Sequence, residues 1–261
     1  MIRRIALLCL ALALPAFGQT TTLNGAGATF PYPMYSKWFS EYHKLHPDVE
    51  INYQSIGSGG GIRQVQAGTV DYGATDGPMS DQQIAESKVK VLHLPTVLGA
   101  VVPAYNIPGV NEEVKFTPEV LAGIYLGKIT TWNDPAIAKA NPNIKFPGQS
   151  ITVVHRSDGS GTTYIFTDYL SKVSSDWAGG PGKGTSVKWP VGMGGKGNEG
   201  VAGNPKMLPG SIGSFSWNPL RGPSTIAKAR AETPAVIWTT VPPAKSSAPS
   251  LFNHPPADHT Q

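Results

Sequence analysis

The segment HRSDGSGTT, residues 155–163, places glycines and small hydroxyl residues directly before a helical pattern. Two other segments repeat this arrangement, GAGATFP at residues 25–31 and SIGSGGG at residues 55–61. The first turn of a helix has unpaired N–H groups and a partial positive charge, so it is suited to binding anions. Together with Arg156 and Asp76, these segments predict a protein that surrounds a tetrahedral oxyanion.

Strand and helix patterns alternate outward from these segments. Apolar residues recur at helical spacing over residues 35–45, and residues 49–53 alternate as a strand does. Residues 91–94 and 97–105 are predicted to form two β-branched strands, and residues 151–154 form a strand before the third glycine-rich segment. This alternation predicts an α/β fold.

The first 18 residues have the pattern of a secretory signal peptide. Arg3 and Arg4 precede an apolar run over residues 5–14, and small residues follow as far as Gly18. The run is shorter than the roughly 20 residues that a membrane span requires, so a retained anchor is the less favoured alternative. We therefore expect an exported protein, with cleavage near Gly18.

Cysteine and charge narrow the class of protein further. The only cysteine, Cys9, lies in the predicted signal peptide, so the exported chain would have neither disulfides nor thiol chemistry. The formal charge of +4 falls to +2 when Arg3 and Arg4 are removed. Charges of both signs are mixed along the chain without a basic stripe, which argues against nucleic-acid binding.

Hydroxyl residues stand at or beside the predicted helix starts, namely Thr29, Ser58, Ser160 and Thr162. Each of them could simply cap its helix, and that alternative stays open for any one taken alone. The neighbouring glycines favour a ligand, because they let backbone N–H groups approach it closely. Arg156 adds a planar donor suited to an oxyanion, unless it is a surface arginine paired with Asp158.

Asp76 is a carboxylate among residues that are expected to bind an anion. It would repel a fully ionised oxyanion, but it can accept a hydrogen bond from one that carries a proton. Hydrogen phosphate carries such a proton and sulfate does not. The alternative is a plain turn residue in Asp76-Gly77-Pro78.

Patterns typical of catalysis or metal binding are weak. The residues around Ser160 do not form a G-x-S-x-G nucleophile elbow, and the lysines in residues 182–184 and 194–197 lack the Ser or Thr that follows in a Walker A loop. The histidines are scattered, and the spacing of His43 and His46 is more typical of a surface helix face than of a metal site. We therefore expect neither an enzyme nor a metal or cofactor site.

Six segments of the chain resemble the family of periplasmic phosphate-binding proteins that serve phosphate ABC transporters. They are GAGATFPYPMYSKW, NYQSIGSGGGIRQV, TVDYGATDGPMSD, IYLGKITTWNDPAIAKANP, RSDGSGTTYIFTDYL and VKWPVGMGGKGNEGVAG. They follow the order of the family from about residue 24 to residue 213. The resemblance implies a periplasmic-binding-protein fold of two α/β lobes, joined by hinge strands, that close over one dehydrated phosphate.

The resemblance also implies which residues bind phosphate. Carried over residue by residue, the ligand shell consists of Thr29, Phe30, Ser58, Asp76, Arg156, Ser160, Gly161 and Thr162. Thr29 and Phe30 would act largely through backbone N–H groups, and Asp158 would temper the charge of Arg156. The implied partners are inorganic phosphate and the membrane permease subunits of a phosphate ABC transporter, and the protein would act as a periplasmic monomer.

By the same resemblance, lobe I begins with residues 24–102 and residues 103–213 form part of lobe II. The family pattern stops after Gly213, and residues 214–261 are rich in proline and serine. We therefore predict a disordered tail and an incomplete C-terminal part of the fold. The alternatives are an exported phosphatase or phosphotransfer enzyme, and a truncated fragment that binds nothing.

Overall fold

A computed structural model of the chain describes residues 20–217 and 234–241. The predicted signal peptide, residues 1–18, lies outside the described residues. The same is true of residues 218–233 and 242–261 in the predicted tail.

Strands and helices alternate along the described chain, which confirms the predicted α/β class. The strands are β1 (Thr21–Gly27), β2 (Val49–Ser55), β3 (Tyr72–Thr75), β4 (Leu92–Asn106), β5 (Thr152–Arg156), β6 (Met193–Gly195), β7 (Ser211–Trp217) and β8 (Pro234–Val241). The helices are α1 (Tyr32–Leu45), α2 (Ser58–Ala67), α3 (Asp81–Ala85), α4 (Pro118–Tyr125), α5 (Pro135–Ala140), α6 (Gly161–Val173), α7 (Ser175–Gly179) and α8 (Gly197–Met207).

These strands form one sheet in the order β2-β1-β3-β8-β4-β7-β5-β6. Residues 92–100 of β4 pair antiparallel with β8, and residues 100–106 pair antiparallel with β7. We call β2, β1, β3 and β8 the first half of the sheet, and β7, β5 and β6 the second half. Strand β4 therefore passes from the first half to the second at Ala100.

The strand directions bring the carboxyl ends of the parallel strands in both halves to this crossing. Strand β3 is antiparallel to β8, which is antiparallel to β4, so β1, β2 and β3 run with β4 toward Ala100. Strand β7 is antiparallel to β4 and parallel to β5, so β5 and β6 run back toward the same place. The carboxyl ends of the parallel strands consequently converge on the crossing from both sides.

Each half has its own buried core. The first-half core contains Ala28, Phe30, Tyr35, Ala74 and Val97. The second-half core is larger and is centred on the fully buried side chains of Trp132, Trp177 and Tyr125. A separate core in each half is the property expected of two lobes that fold as units.

Side-chain caps begin helices α3 and α4. Ser80 forms a capping box with Gln83 at the start of α3, and the Thr117 side chain accepts a hydrogen bond from the Val120 N–H at the start of α4. Each hydroxyl satisfies an N–H group that would otherwise lack a partner. Within residues 20–217 and 234–241, no helix is long and apolar enough to cross a bilayer.

The predicted tail needs correction where the structure describes it. Strand β7 continues through residues 214–217 and pairs with β4, and β8 lies between β3 and β4. These two pieces therefore belong to the central sheet and are not disordered. The expectation for the rest of residues 214–261 falls outside the described residues.

Candidate functional site

The predicted site residues follow the strands that converge on the crossing. Thr29 follows β1, Ser58 begins α2 after β2, and Asp76 directly follows β3. In the second half, β5 ends at Arg156 and the loop after it leads to Ser160 and helix α6. Loops at the carboxyl ends of parallel strands are the usual ligand-binding crevice of α/β sheets. The fold therefore places residues from distant parts of the sequence in one cleft.

Arg156 is buried, and a carboxylate holds its orientation. Its side chain is 3% exposed, and its Nε and Nη2 atoms donate to the two carboxylate oxygens of Asp158 at 2.7 and 2.5 Å. The remaining nitrogen, Nη1, lies 3.5 Å from Oγ1 of Thr29. Burial raises the pKa of Asp158, but the Arg156 bonds outweigh it, and the pKa lies below the ordinary value. The pair is an internal ion pair and not the surface pair considered as an alternative.

Asp76 is a buried carboxylate in the first half of the cleft, 3% exposed. Burial raises its pKa to about 6 from an ordinary 3.8, against the lowering effects of Arg156 and Thr162. Its Oδ1 atom has no hydrogen-bond partner among the described residues. A buried carboxylate oxygen without a donor is costly, so this atom is suited to accept a hydrogen bond from a ligand.

The hydroxyl of Thr162 connects the two halves. Thr162 belongs to α6 in the second half, and its Oγ1 atom lies 3.4 Å from Oδ2 of Asp76 in the first half. The same oxygen is 2.6 Å from Oγ of Ser216 on β7 and 3.3 Å from Oδ1 of Asn198. These distances do not correspond to a helix cap, because the hydroxyl binds side chains on other elements.

The start of α6 packs directly against the first half of the cleft. A Cβ atom added to Gly161 would lie 2.5 Å from both Oγ of Ser58 and Cβ of Asp76. A backbone hydrogen bond of 3.0 Å, from the N–H of Gly59 to the carbonyl of Gly159, also joins the two halves. The cleft is therefore closed, and only glycine fits at Gly161.

The N-capping alternative accounts for one of the four hydroxyl residues. The Oγ of Ser160 accepts a hydrogen bond from the Thr163 N–H at 3.1 Å and caps α6. Ser58 instead accepts from the backbone N–H of Asp76 at 3.2 Å, and Thr29 accepts from Arg156 and from the Asn198 N–H. The side chain of Phe30 is buried in the first-half core.

Two residues in the cleft have no role in the sequence-based prediction. Asn198, near the start of α8, and Ser216, on β7, are both buried and both bind Thr162. Asn198 follows the glycine-rich segment 192–197, the same arrangement as in the three segments that predicted the site. That pattern was a signal for Asn198, whereas Ser216 lies in a segment predicted to be aperiodic.

The described residues contain no group of three or more His, Cys, Asp or Glu side chains that could hold a metal ion. His43 contacts the backbone oxygen of Val49 through Nδ1 at 2.8 Å, and the ring of His46 stacks on Tyr42. Both histidines therefore have local structural partners on and beside α1.

Comparison with known proteins identifies the family of the chain and its relatives. A family model described as "PBP superfamily domain" matches residues 15–250. The chain is 51% identical over 212 residues to phosphate-binding protein PstS of Pasteurella multocida, an alignment covering 80% of this chain and 61% of that protein. The PstS of Haemophilus influenzae is 48% identical, with coverages of 77% and 60%. The chain thus spans about three-fifths of the length of these relatives.

Solved structures share the fold at low sequence identity. A substrate-binding protein of Clostridium perfringens with bound phosphate is 15% identical, has a TM-score of 0.67 and aligns over 85% of this chain and 86% of its own. A phosphate-binding protein of Stenotrophomonas maltophilia is 16% identical, with a TM-score of 0.65 and coverages of 85% and 79%. At these identities the similarity establishes the two-lobe α/β fold and nothing finer.

Proposed function

The chain belongs to the family described as "PBP superfamily domain", and on that premise we propose that it binds inorganic phosphate for import. Its relatives at about half identity are named phosphate-binding proteins. The proposed ligand shell is Thr29, Phe30, Ser58, Asp76, Arg156, Ser160, Gly161 and Thr162. Asp158 would orient Arg156 and moderate its charge.

One observation carries this proposal: a buried cation, Arg156, and a buried carboxylate, Asp76, both lie beside threonine hydroxyl groups in one cleft. Arg156 supplies permanent positive charge for an oxyanion. Asp76 offers an acceptor with one oxygen unpartnered among the described residues. A ligand that satisfies both must be negatively charged and must also carry a proton to donate, which is the chemistry of hydrogen phosphate.

Closure of the cleft follows from the same geometry. We propose that residues 24–102 and 103–213 form lobes that open and close about β4, whose pairing changes at Ala100. The contacts of Gly161 and Gly159 with the first half would form as the cleft closes. Closure would remove the anion from water and strengthen each charge-assisted hydrogen bond.

The cellular role extends this proposal. We propose that the protein acts in the periplasm as a monomer and delivers phosphate to the membrane permease subunits of an ABC transporter. Neither nucleic acid nor a cofactor takes part. The basis is the family, the names of the relatives and the signal-like first 18 residues.

An exported phosphatase is the alternative from another functional class. It would require a nucleophile beside a base of suitable pKa. Among the described residues, the hydrogen-bond partners of the Ser58, Ser160 and Thr162 hydroxyls include no histidine or lysine. The carboxylate beside them, Asp76, lies 3.4 Å from the Thr162 hydroxyl, outside the range of roughly 2.6–3.2 Å expected of a general base and its nucleophile. The geometry thus favours binding over turnover.

Phosphate calorimetry and an assay of phosphate-ester hydrolysis together distinguish a binding protein, an enzyme and a non-binding fragment. We expect the exported chain to bind one phosphate, with no release of phosphate from phosphate esters on prolonged incubation. Sustained ester hydrolysis by the pure protein would establish an enzyme. A folded protein that gives no binding heat would support the non-binding fragment.

A further inference from the structure

The amide side chain of Asn198 lies at the centre of the cleft without a proposed role. Asn198 is the second residue of α8 and is only 7% exposed. Its backbone N–H lies 3.4 Å from Oγ1 of Thr29, in the first half of the sheet. Asn198 therefore contacts both walls of the closed cleft.

Its hydrogen bonds determine the orientation of the amide. The Oδ1 atom lies 3.1 Å from Nη1 of Arg156 and 3.4 Å from the backbone nitrogen of Ser216. Both of these groups can only donate, so the atom facing them must be the carbonyl oxygen. The NH2 group consequently points away from both donors.

That NH2 group is buried and has no hydrogen-bond partner among the described residues. Oδ1 of Asp76 is also buried and also has no hydrogen-bond partner among the described residues. Thr162 Oγ1 links the two side chains, at 3.3 Å from the Asn198 amide oxygen and 3.4 Å from the second oxygen of Asp76. One unpaired donor and one unpaired acceptor thus belong to side chains that share a single hydroxyl.

We infer that Asn198 binds phosphate directly, its NH2 group donating to an ionised oxygen while Asp76 accepts from the protonated oxygen. The inference rests on the proposed function and adds a donor to the proposed shell. A ligand that has both an ionised and a protonated oxygen would give the Asn198 NH2 group and the Asp76 Oδ1 atom a hydrogen-bond partner each. Hydrogen bonds to the ligand would remove the desolvation cost that a buried polar atom carries when it has no partner.

The competing explanation is that Asn198 only positions Arg156 and the end of β7. Two substitutions distinguish the roles. Asn198→Ala removes both the donor and the acceptor, whereas Asn198→Asp keeps an oxygen for Arg156 and Ser216 but replaces the NH2 group with a carboxylate oxygen. A ligand donor predicts that the Asp variant binds phosphate more weakly than the Ala variant, because the carboxylate would face the anion. Tighter binding by the Asp variant would leave Asn198 with only a positioning role.

Asn141 provides a matched control. It is another buried asparagine, 5% exposed, and its amide is fully used in hydrogen bonds to Lys115 and Ile137. Asn141→Asp and Asn141→Ala make the same chemical changes outside the cleft. They should lower the melting temperature without changing the dissociation constant for phosphate, which controls for a general loss of stability.

The test combines phosphate calorimetry at pH 8 with NMR of the side-chain amide groups. We expect Asn198→Ala to bind roughly ten- to a hundredfold more weakly than the wild type, and Asn198→Asp more weakly still. Phosphate should shift the Asn198 NH2 signals, identified by their loss in Asn198→Ala, and should leave the Asn141 signals in place.

Three results would overturn the inference. They are wild-type affinity in Asn198→Ala, tighter binding by the Asp variant than by the Ala variant, and Asn198 NH2 signals that do not respond to phosphate. Each of these would leave the proposed function intact, provided that the wild-type chain binds phosphate. A wild-type chain that binds none would overturn both.

Discussion

Thr162, from the second half of the sheet, places its hydroxyl oxygen 3.4 Å from a carboxylate oxygen of Asp76 in the first half. This contact crosses the cleft. It connects the start of α6, which offers N–H groups, with the carboxylate that can accept a hydrogen bond from a protonated oxyanion. The acidity of Asp76 and the closure of the cleft are therefore coupled, because Thr162 is one of the groups that lower the Asp76 pKa.

The first prediction concerns anion selectivity. Asp76→Asn replaces an acceptor-only group with one that can also donate, so the variant should bind sulfate that the wild type excludes. The measurement is the ratio of the sulfate and phosphate dissociation constants at pH 8, where Asp76 is ionised. The assigned role of Asp76 would be wrong if the wild type bound both anions equally well.

The second prediction concerns stability against pH without ligand. The pKa of Asp76 is about 6 in the folded chain against an ordinary 3.8, so between these values the folded state binds more protons than the unfolded state. The Asp76 contribution to the unfolding free energy therefore falls as pH rises from about 4 to 6 and stays low above that. The total loss is about 3 kcal/mol.

Urea unfolding of wild type and Asp76→Asn in phosphate-free buffer measures this contribution. The variant should be the more stable protein at pH 8, by as much as about 3 kcal/mol, and the difference should shrink toward pH 4. Taking the difference cancels the opposite trend from carboxyls with lowered pKa, such as Asp158 and Asp168. A difference that stays constant from pH 4 to pH 8 would contradict the prediction.

The third prediction concerns Arg156. Arg156→Ala removes a charge-assisted donor from a dehydrated site and leaves Asp158 without its partner, at a cost of about 1.5–3 kcal/mol in binding. Phosphate affinity should fall roughly ten- to a hundredfold by calorimetry. Arg63 on α2 is exposed, so Arg63→Ala serves as the control and should retain wild-type affinity. An unchanged dissociation constant in Arg156→Ala would remove Arg156 from the shell.

The fourth prediction uses two helical glycines. In Gly161→Ala the new methyl group would meet Ser58 and Asp76 at 2.5 Å, so the cleft should not close and phosphate binding should be lost. A Cβ atom at Gly203 on α8 has nothing within 4 Å. Gly203→Ala should therefore keep its affinity and gain up to about 1 kcal/mol of stability from helix propensity. Equal phosphate affinity in the two variants would contradict the closed geometry of the cleft.

The sequence predicts the elements that carry their own local signal. Helix α2 has a glycine at its end, Gly68, in the left-handed conformation, and α3 has the Ser80 capping box. Strand β1 lacks such a signal, because its residues TTLNGAG include three polar residues and two glycines. It is a strand because β2 and β3 pair with it on both sides. Gly27 allows the Ala74 carbonyl to approach so closely that no side chain would fit.

Strand β8 shows a different limit of prediction from sequence. Its sequence PAVIWTTV is rich in the β-branched and aromatic residues that favour strands, but the proline and serine around it are typical of a disordered tail. Strand β4, predicted as two strands, is continuous because its irregularity between Pro95 and Val97 only shifts its pairing with β8. Pairing partners distant in sequence decide both cases.

Site residues were predictable where a glycine-rich loop leads into a helix. Asn198 shares that context, but the sequence does not reveal its role, because its contacts with Arg156 and Thr162 span long stretches of sequence. Ser216 depends on β7 lying beside β4 and β5, which only the sheet topology reveals.

The central claim is that one buried cleft holds a single protonated oxyanion. Equilibrium dialysis of the wild-type chain against radiolabelled phosphate at pH 8, with sulfate as competitor, tests it most directly. The account predicts one phosphate retained per chain and no displacement by a large excess of sulfate. Failure to retain phosphate, or its displacement by an equal concentration of sulfate, would contradict the account.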